Sequence, residues 1–102
     1  MSNATNALEE LIGEHLLGAD TWTKPSGIYV GLFTVMPDDA GADGTEVTGG
    51  SYARVQCGPG DAYWTNPTGG TGAYTNVDII KFPTPSDTWG EILGFGLFSA
   101  AT

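Results

Sequence analysis

The stretch IYVGLF, residues 28–33, decides the fold of this chain. Successive side chains of a β-strand point to opposite faces, and in this stretch the side chains on both faces are apolar. One face carries Ile28, Val30 and Leu32, and the other carries Tyr29, Gly31 and Phe33. A strand with two apolar faces is covered by neighbours on each side. The stretch therefore predicts a central strand.

Upstream of this strand, apolar residues recur at helical spacing. The spacing i, i+3, i+4, i+7 and i+8 places five residues on one stripe: Leu8, Leu11, Ile12, His15 and Leu16. Asn6 and Glu9 have the spacing of a capping box, and Gly18 suits the left-handed position that follows a helix. We therefore predict an amphipathic helix over about residues 6–17, with His15 as part of the apolar stripe instead of a ligand or a catalytic base.

Downstream, short stretches of β-forming residues separated by Gly and Pro predict further strands. The predicted strands cover residues 45–48, 51–57, 61–64, 73–82 and 89–98, and residues 66–72 are predicted as a loop. In the last strand Gly94 and Gly96 share one face with Phe98, and Phe95 lies on the other. Paired glycines on one strand face leave a groove in which a ring or another backbone can lie.

Several short strands, Gly-rich turns and one terminal helix predict a mainly β fold. We expect an antiparallel β-sandwich or jelly-roll-like arrangement with one N-terminal amphipathic α-helix, because no alternation of strands and helices is present. The length of 102 residues predicts a single domain, 1–102, with the helix at about 6–17 and the β region at about 27–98.

The charge balance excludes two classes of partner. Twelve Asp and Glu stand against three Lys and Arg, so the acidic chain has a net charge of −9 and no basic surface for nucleic acid or for anionic membranes. Leu, Ile, Val and Phe together number only 21, which predicts a thin core. We therefore expect the chain to form a homo-oligomer or a complex to reach full stability.

No residue set predicts catalysis or a bound cofactor. Cys57 and His15 are single residues of their kinds, so no zinc site and no nucleophile with its base can be assembled from them. The acidic loop containing Asp38, Asp39, Asp43 and Glu46 has oxygen ligands of the kind that calcium prefers, but Asp and Gly also serve turns for backbone reasons. We favour an ordinary acidic turn, and we predict no catalytic, cofactor-binding or metal-binding residues and no enzyme activity.

Aromatic residues leave two interpretations open. Flat rings can form a stacking platform for sugars, and five residues are available for it: Trp22, Tyr63, Trp64, Tyr74 and Trp89. The same rings are also typical of a core or a subunit interface, which we favour. Arg54, in the middle of a predicted strand, is expected to pair with a carboxylate at a buried or interfacial position.

Together these segments resemble a family of small virion structural proteins of tailed bacteriophages, of a decoration or tail-fibre-like kind. The resemblance rests on residues 8–18, 28–34, 37–55, 79–83 and 89–98, and its most specific part is GTEV, GG and YAR between Gly44 and Arg54. It implies a β-sandwich-like module without catalytic residues. Members of this family usually continue through two more strands after the segment that matches residues 96–98, whereas this chain stops at Thr102, and an open sheet edge would invite pairing with a neighbour.

The resemblance implies a non-enzymatic virion protein that acts through oligomeric protein–protein interfaces. We expect a capsid decoration or cement protein, a collar subunit or a tail-fibre subunit; the alternative is a receptor- or glycan-binding adhesin of a phage tail. The expected partners are copies of the chain and other virion proteins. A trimer is favoured only by the habit of virion appendages. The candidate interface residues are Leu8, Leu11, Ile12, Leu16, Arg54, Phe95 and Phe98.

Overall fold

A computed structural model describes residues 4–65 and 70–102 of the chain. These residues form one helix and six strands: α1 (Asn6–Leu16), β1 (Ile28–Val35), β2 (Thr45–Glu46), β3 (Val55–Gly58), β4 (Trp64–Thr65), β5 (Thr75–Asn76) and β6 (Gly94–Phe98). All pairs among the described strands are antiparallel. The predicted class, a mainly β fold with one N-terminal helix, is confirmed. Within the described residues the strands form a four-stranded and a two-stranded sheet, and neither closes into a barrel.

β1 is the centre of the larger sheet. β6 pairs with β1 from Tyr29 to Phe33. β3 pairs with the start of β1, and β2 pairs with its end. Because a strand has two edges, β2 and β3 must share one edge of β1 end to end, while β6 takes the other. The prediction of a central strand at residues 28–33 is confirmed.

The buried core is small and gathers around β1. The buried apolar residues are Val30, Phe33, Val47 and Cys57. Val30 and Phe33 lie on opposite faces of β1, so each face contributes to the core. The backbone N–H of Val47 donates to the Leu32 carbonyl over 3.0 Å, which holds Val47 beside β1 after β2 has ended.

The helix nearly matches its predicted extent, but the residues that cap it differ from those predicted. Thr5 is its N-cap: the hydroxyl of Thr5 accepts a hydrogen bond of 3.4 Å from the N–H of Leu8. Asn6 is the first helical residue, and its N–H donates to the Asp39 carbonyl. The predicted capping box at Asn6 is therefore wrong. Gly18 lacks the predicted positive φ, because its N–H continues the last turn by donating to the Glu14 carbonyl.

Two predicted strands start later than expected because of residues with positive φ. Ser51 has a φ of 65°, and the N–H of Tyr52 donates to the Gly49 carbonyl, so a turn occupies the start of the predicted strand 51–57. Gly90, with a φ of 82°, likewise interrupts the predicted strand 89–98. Left-handed backbone cannot continue a strand. As a result β3 begins at Val55 and β6 at Gly94.

The other predicted strands are also shortened. Of the predicted strand 73–82 only β5 forms, since the side-chain amide of Asn76 donates to the Asp78 carbonyl and turns the chain. A turn closed on the Gly60 carbonyl replaces most of the predicted strand 61–64 and leaves β4. The predicted strand 45–48 reduces to β2. Of the predicted loop 66–72, residues 66–69 lie outside the described residues.

The smaller sheet, β4 with β5, is joined to the larger one. The indole N–H of Trp64 in β4 donates to the carbonyl of Cys57 in β3 over 2.6 Å.

Among the described residues, no helix has the length and apolar character needed to cross a membrane.

Candidate assembly surfaces

Arg54 lies at the centre of a polar cluster beside β1. Its guanidinium binds the Glu46 carboxylate through two hydrogen bonds, Nε to Oε2 at 2.8 Å and Nη2 to Oε1 at 2.7 Å. Its Nη1 donates to the carbonyl of Ala100 over 3.0 Å. Its Cζ lies 3.5 Å from the centroid of the Phe98 ring, a cation–π arrangement. The predicted pairing of Arg54 with a carboxylate is confirmed, and the pair is largely buried, with side chains 14% and 22% exposed.

Tyr52 completes this cluster by filling the gap between β2 and β3. None of the strands in residues 4–65 and 70–102 pairs with the middle of β1 on this edge, and the N–H of Leu32 there donates to the Tyr52 hydroxyl over 2.9 Å. The hydroxyl in turn donates to Oε2 of Glu46 over 2.7 Å. A backbone N–H that would otherwise lack a partner is therefore satisfied by a side chain. We define Glu46, Tyr52, Arg54 and Phe98 as the Arg54 cluster.

The Arg54 cluster shifts the ionisation of its members. Hydrogen bonding from Arg54 lowers the pKa of Glu46, although partial burial opposes this shift. Burial and the hydrogen bond to Glu46 raise the pKa of Tyr52 to about 12. The hydrogen bond to Glu46 raises the pKa of Arg54. At neutral pH the cluster is therefore an ion pair with a neutral phenol.

Glycines beneath the Arg54 cluster allow rings to lie close to the sheet. A Cβ on Gly31 would lie 2.7 Å from the Phe98 ring and 2.8 Å from Oε2 of Glu46. Directly across the ladder, a Cβ on Gly96 would lie 2.7 Å from the Phe33 ring, which stacks on Phe98 at a centroid distance of 5.7 Å. The prediction that the glycine face of the last strand accommodates a ring is confirmed.

A second aromatic group packs against the turn before β3. The Tyr52 ring stacks on Phe82 and meets Trp89 edge to face, at centroid distances of 6.2 Å and 5.4 Å. The indole N–H of Trp89 donates to the Gly50 carbonyl over 2.9 Å. Sequence reasoning grouped Trp89 with other rings and missed Tyr52 and Phe82. Alternation along the predicted strand 51–57 puts Tyr52 on the same face as Arg54, but it does not show that the Tyr52 hydroxyl reaches the N–H of Leu32.

The apolar stripe of α1 is only partly covered. No residue of α1 is buried, and the exposed fraction of its apolar residues runs from 36% at Leu8 to 72% at Leu16. Hydrogen bonds connect α1 with other segments at both of its ends. The N–H of Asn6 donates to the Asp39 carbonyl, and the N–H of Trp22 donates to Nδ1 of His15. The hydrogen bond from Asn6 to Asp39 places the start of α1 against the loop that follows β1.

β6 also carries exposed apolar side chains. Phe95 and Leu97 are 66% and 64% exposed, and both lie on the face of β6 opposite the glycines. In the described part of the chain β6 pairs with β1 alone, so its outer edge has no partner. The candidate interface residues thus fall into three places. Leu8, Leu11, Ile12 and Leu16 line α1, Phe95 lies on the exposed face of β6, and Arg54 and Phe98 contact each other inside the chain.

The side chains that could take part in catalysis or metal binding are engaged in other contacts or lie apart from one another. His15 is exposed on α1, and burial raises the pKa of the Cys57 thiol. Oδ1 of Asp38 accepts from the N–H of Ala42, so this carboxylate closes its own turn. Among residues 4–65 and 70–102, no three His, Cys, Asp or Glu side chains come together as a set of metal ligands.

Comparison with known families now identifies the chain. Residues 3–102 match the family described as podophage GP4 fiber I protein gp80. The match covers almost the whole chain, so the chain belongs to this family of bacteriophage fibre proteins and is a structural component of the virion. No curated protein and no solved structure gives a significant match.

Proposed function

We propose that this chain, as a member of the podophage fibre family, is a non-enzymatic subunit of the tail-fibre apparatus that acts through contacts with copies of itself and with other virion proteins. The family is described as a fibre protein, which supports this location over a capsid decoration protein or a collar subunit.

The observation that carries the proposal is the placement of the apolar side chains. The buried core holds four residues, whereas the α1 stripe and the outer face of β6 leave large apolar side chains in solvent. Exposed apolar patches are typical of surfaces that bind other proteins. A chain with little buried core and many exposed apolar side chains is suited to assembly.

The placement of the chemically reactive residues supports a structural role. His15 and Cys57 lie in separate places, one on an exposed helix and the other in the core. A nucleophile needs a base within hydrogen-bonding reach. The acidic side chain with the most contacts, Glu46, is committed to Arg54 and Tyr52.

The alternative function is a receptor- or glycan-binding adhesin of the tail. Part of its predicted platform is engaged within the chain, because Trp89 packs against other rings and its indole N–H is bound to the Gly50 carbonyl. The other rings are those of Tyr52 and Phe82. A glycan array with the purified chain separates the two functions, since a structural subunit shows no saturable binding to any sugar.

The proposal is tested in the phage that encodes the chain. Deletion of its gene is expected to give particles with incomplete tail fibres, and supply of the intact chain in trans restores them. Particles with complete fibres after deletion would contradict the proposal. Fibres lost on deletion, together with sugar binding on the array, would favour the adhesin.

A further inference from the structure

The outer edge of β6 has the chemistry of an unfinished sheet. Alternate residues of an antiparallel strand direct their N–H and C=O groups away from the partner strand. β1 takes one edge of β6, and no described strand pairs with the other. The outer edge therefore presents unpaired backbone donors and acceptors, which can accept another strand.

β6 lacks the features that normally protect such an edge. Edge strands are usually blunted by Lys, by Pro, by a bulge or by inward-pointing charges. The sequence of β6, GFGLF, contains none of these residues, and its pairing with β1 runs from Phe98 to Gly94 without a register shift. Phe95 and Leu97 add exposed apolar surface beside the edge. The edge is open to pairing instead of protected against it.

The net charge of the chain limits the surfaces through which two copies can contact each other. A net charge of −9 makes two copies repel each other over most of their surfaces. The segment that contains β6 is an exception, because residues 92–102 carry no charged side chain. The opposite edge of the sheet carries Glu46 and Arg54. At the edge of β6 two copies can therefore approach each other without bringing charged side chains together.

We propose that β6 pairs antiparallel with β6 of a second copy about a twofold axis at Gly96. In this register Phe95 of each copy lies opposite Leu97 of the other, and such apolar cross-strand pairs stabilise a sheet. On the other face Gly96 lies opposite Gly96 of the second copy and Gly94 lies opposite its Phe98, so no two large side chains oppose each other there. This inference rests on the proposed function and names one of its interfaces.

The geometry also sets the number of copies. Identical strands that pair antiparallel are related by a twofold axis, and such an interface uses the same patch on both chains. Because β1 occupies the inner edge, each copy offers one free edge of β6 and the pairing closes at two copies. This interface predicts a dimer with one continuous sheet, in place of the trimer favoured by the habit of virion appendages.

Sedimentation of the purified chain over a range of concentrations tests the pairing. The wild-type chain is expected to reach twice its monomer mass. Leu97→Lys, which places a charge beside the edge, is expected to raise the dimer dissociation constant at least about tenfold. The matched control is Ile79→Lys, at a residue 88% exposed and outside every strand, which is expected to leave the constant unchanged. Both variants reduce the net negative charge equally, so altered repulsion cannot explain a difference between them.

Amide hydrogen exchange provides a second measurement that does not depend on a variant. The outward-facing amides of β6 are expected to become more protected as the concentration of the wild-type chain rises, while those of α1 do not. A folded monomer at every concentration, or a dimer that Leu97→Lys leaves intact, would overturn the β6 pairing. A monomer would leave the proposed role in the fibre standing, because that role is tested separately by deletion of the gene.

Discussion

Arg54 shows how much of this fold depends on single side chains. The guanidinium joins Glu46 of β2, the ring of Phe98 in β6 and the carbonyl of Ala100. Arg54 precedes β3, so one side chain ties together segments on both edges of β1. Without it, the Glu46 carboxylate would be left partly buried with only the hydroxyl of Tyr52.

The first prediction is that Arg54→Ala destabilises the chain strongly. Removal of one partner of a buried ion pair costs about 3–5 kcal/mol, and the partial exposure of this pair places the loss near the lower end. Lys24→Ala, at an exposed residue, is expected to change the free energy of unfolding by less than about 0.5 kcal/mol. Urea unfolding of both variants is the measurement. Equal and small effects would mean that the Arg54 cluster contributes little.

The second prediction concerns acid. The pKa of Glu46 is lowered in the folded chain, so its contribution to stability is present above the unfolded value of 4.5 and is lost as the pH falls through the lower folded value. The urea concentration at the unfolding midpoint of the wild-type chain is therefore expected to decrease as the pH drops below about 4.5. Glu46→Gln removes this titration, so its urea midpoint should decline less between pH 6 and pH 3. A wild-type and a variant midpoint that decline in parallel would show that Glu46 does not contribute.

The third prediction compares two glycines. A Cβ on Gly31 would meet Phe98, Glu46 and the Tyr52 hydroxyl, all within 2.9 Å, so Gly31→Ala is expected to cost about 1–3 kcal/mol of stability through overpacking. Gly13 lies within α1, and a Cβ there meets no atom within 4 Å. Gly13→Ala is therefore expected to stabilise the helix by about 0.5–1 kcal/mol. The melting temperatures of both variants are the measurement, and a higher melting temperature for Gly31→Ala would contradict the packing described.

At the residue scale, the sequence predicted some contacts and missed others. A single Arg in a strand of an acidic chain predicts a carboxylate partner, and Arg54 has one. The role of Tyr52 could not be predicted, because it depends on the separation of β2 from β3 along one edge of β1. That separation is a property of the tertiary pairing, which alternation along a strand does not contain.

Among the elements, α1 separates local pattern from tertiary packing most clearly. Its spacing of apolar residues predicted the helix and nearly its whole extent. Spacing says which residues share a face but not what covers that face. The stripe stays partly exposed, with Leu16 at 72%, which leaves apolar surface for contacts outside the chain.

The fourth prediction tests that contribution with the double variant Leu11→Asp and Leu16→Asp. Because neither residue is buried, the free energy of unfolding is expected to change by no more than about 1 kcal/mol. Incorporation of the chain into particles is expected to be lost, since the stripe can no longer bind an apolar surface. The control is Glu9→Asp with Glu14→Asp, which places the same residue type off the stripe. Normal incorporation of the stripe variant would contradict a role of α1 in assembly.

Strand boundaries were predicted less well than strand existence. Sequence alternation continues through residues such as Ser51 and Gly90, but the backbone there is left-handed and ends the pairing. In a chain with 16 glycines, such interruptions decide where each strand begins. β1 contains one glycine, whose neighbours are all apolar, and it is the strand whose position the sequence predicted best.

For the whole molecule, the small core and the acidic surface both fit a chain that assembles with specific neighbours. The core holds Val30, Phe33, Val47 and Cys57, while the apolar surfaces of α1 and β6 remain in solvent. A strongly acidic chain avoids non-specific association, so the contacts that it makes are limited to its uncharged surfaces. This combination fits a subunit that is completed by its neighbours in a fibre.

The most direct test of this account is cryo-electron microscopy of purified particles of the phage that encodes the chain. The account predicts density for the six-stranded chain in the tail fibre, in more than one copy, with the α1 stripe and the outer edge of β6 in contact with neighbouring chains. Density on the capsid alone, or copies in which both α1 and β6 face solvent, would contradict it.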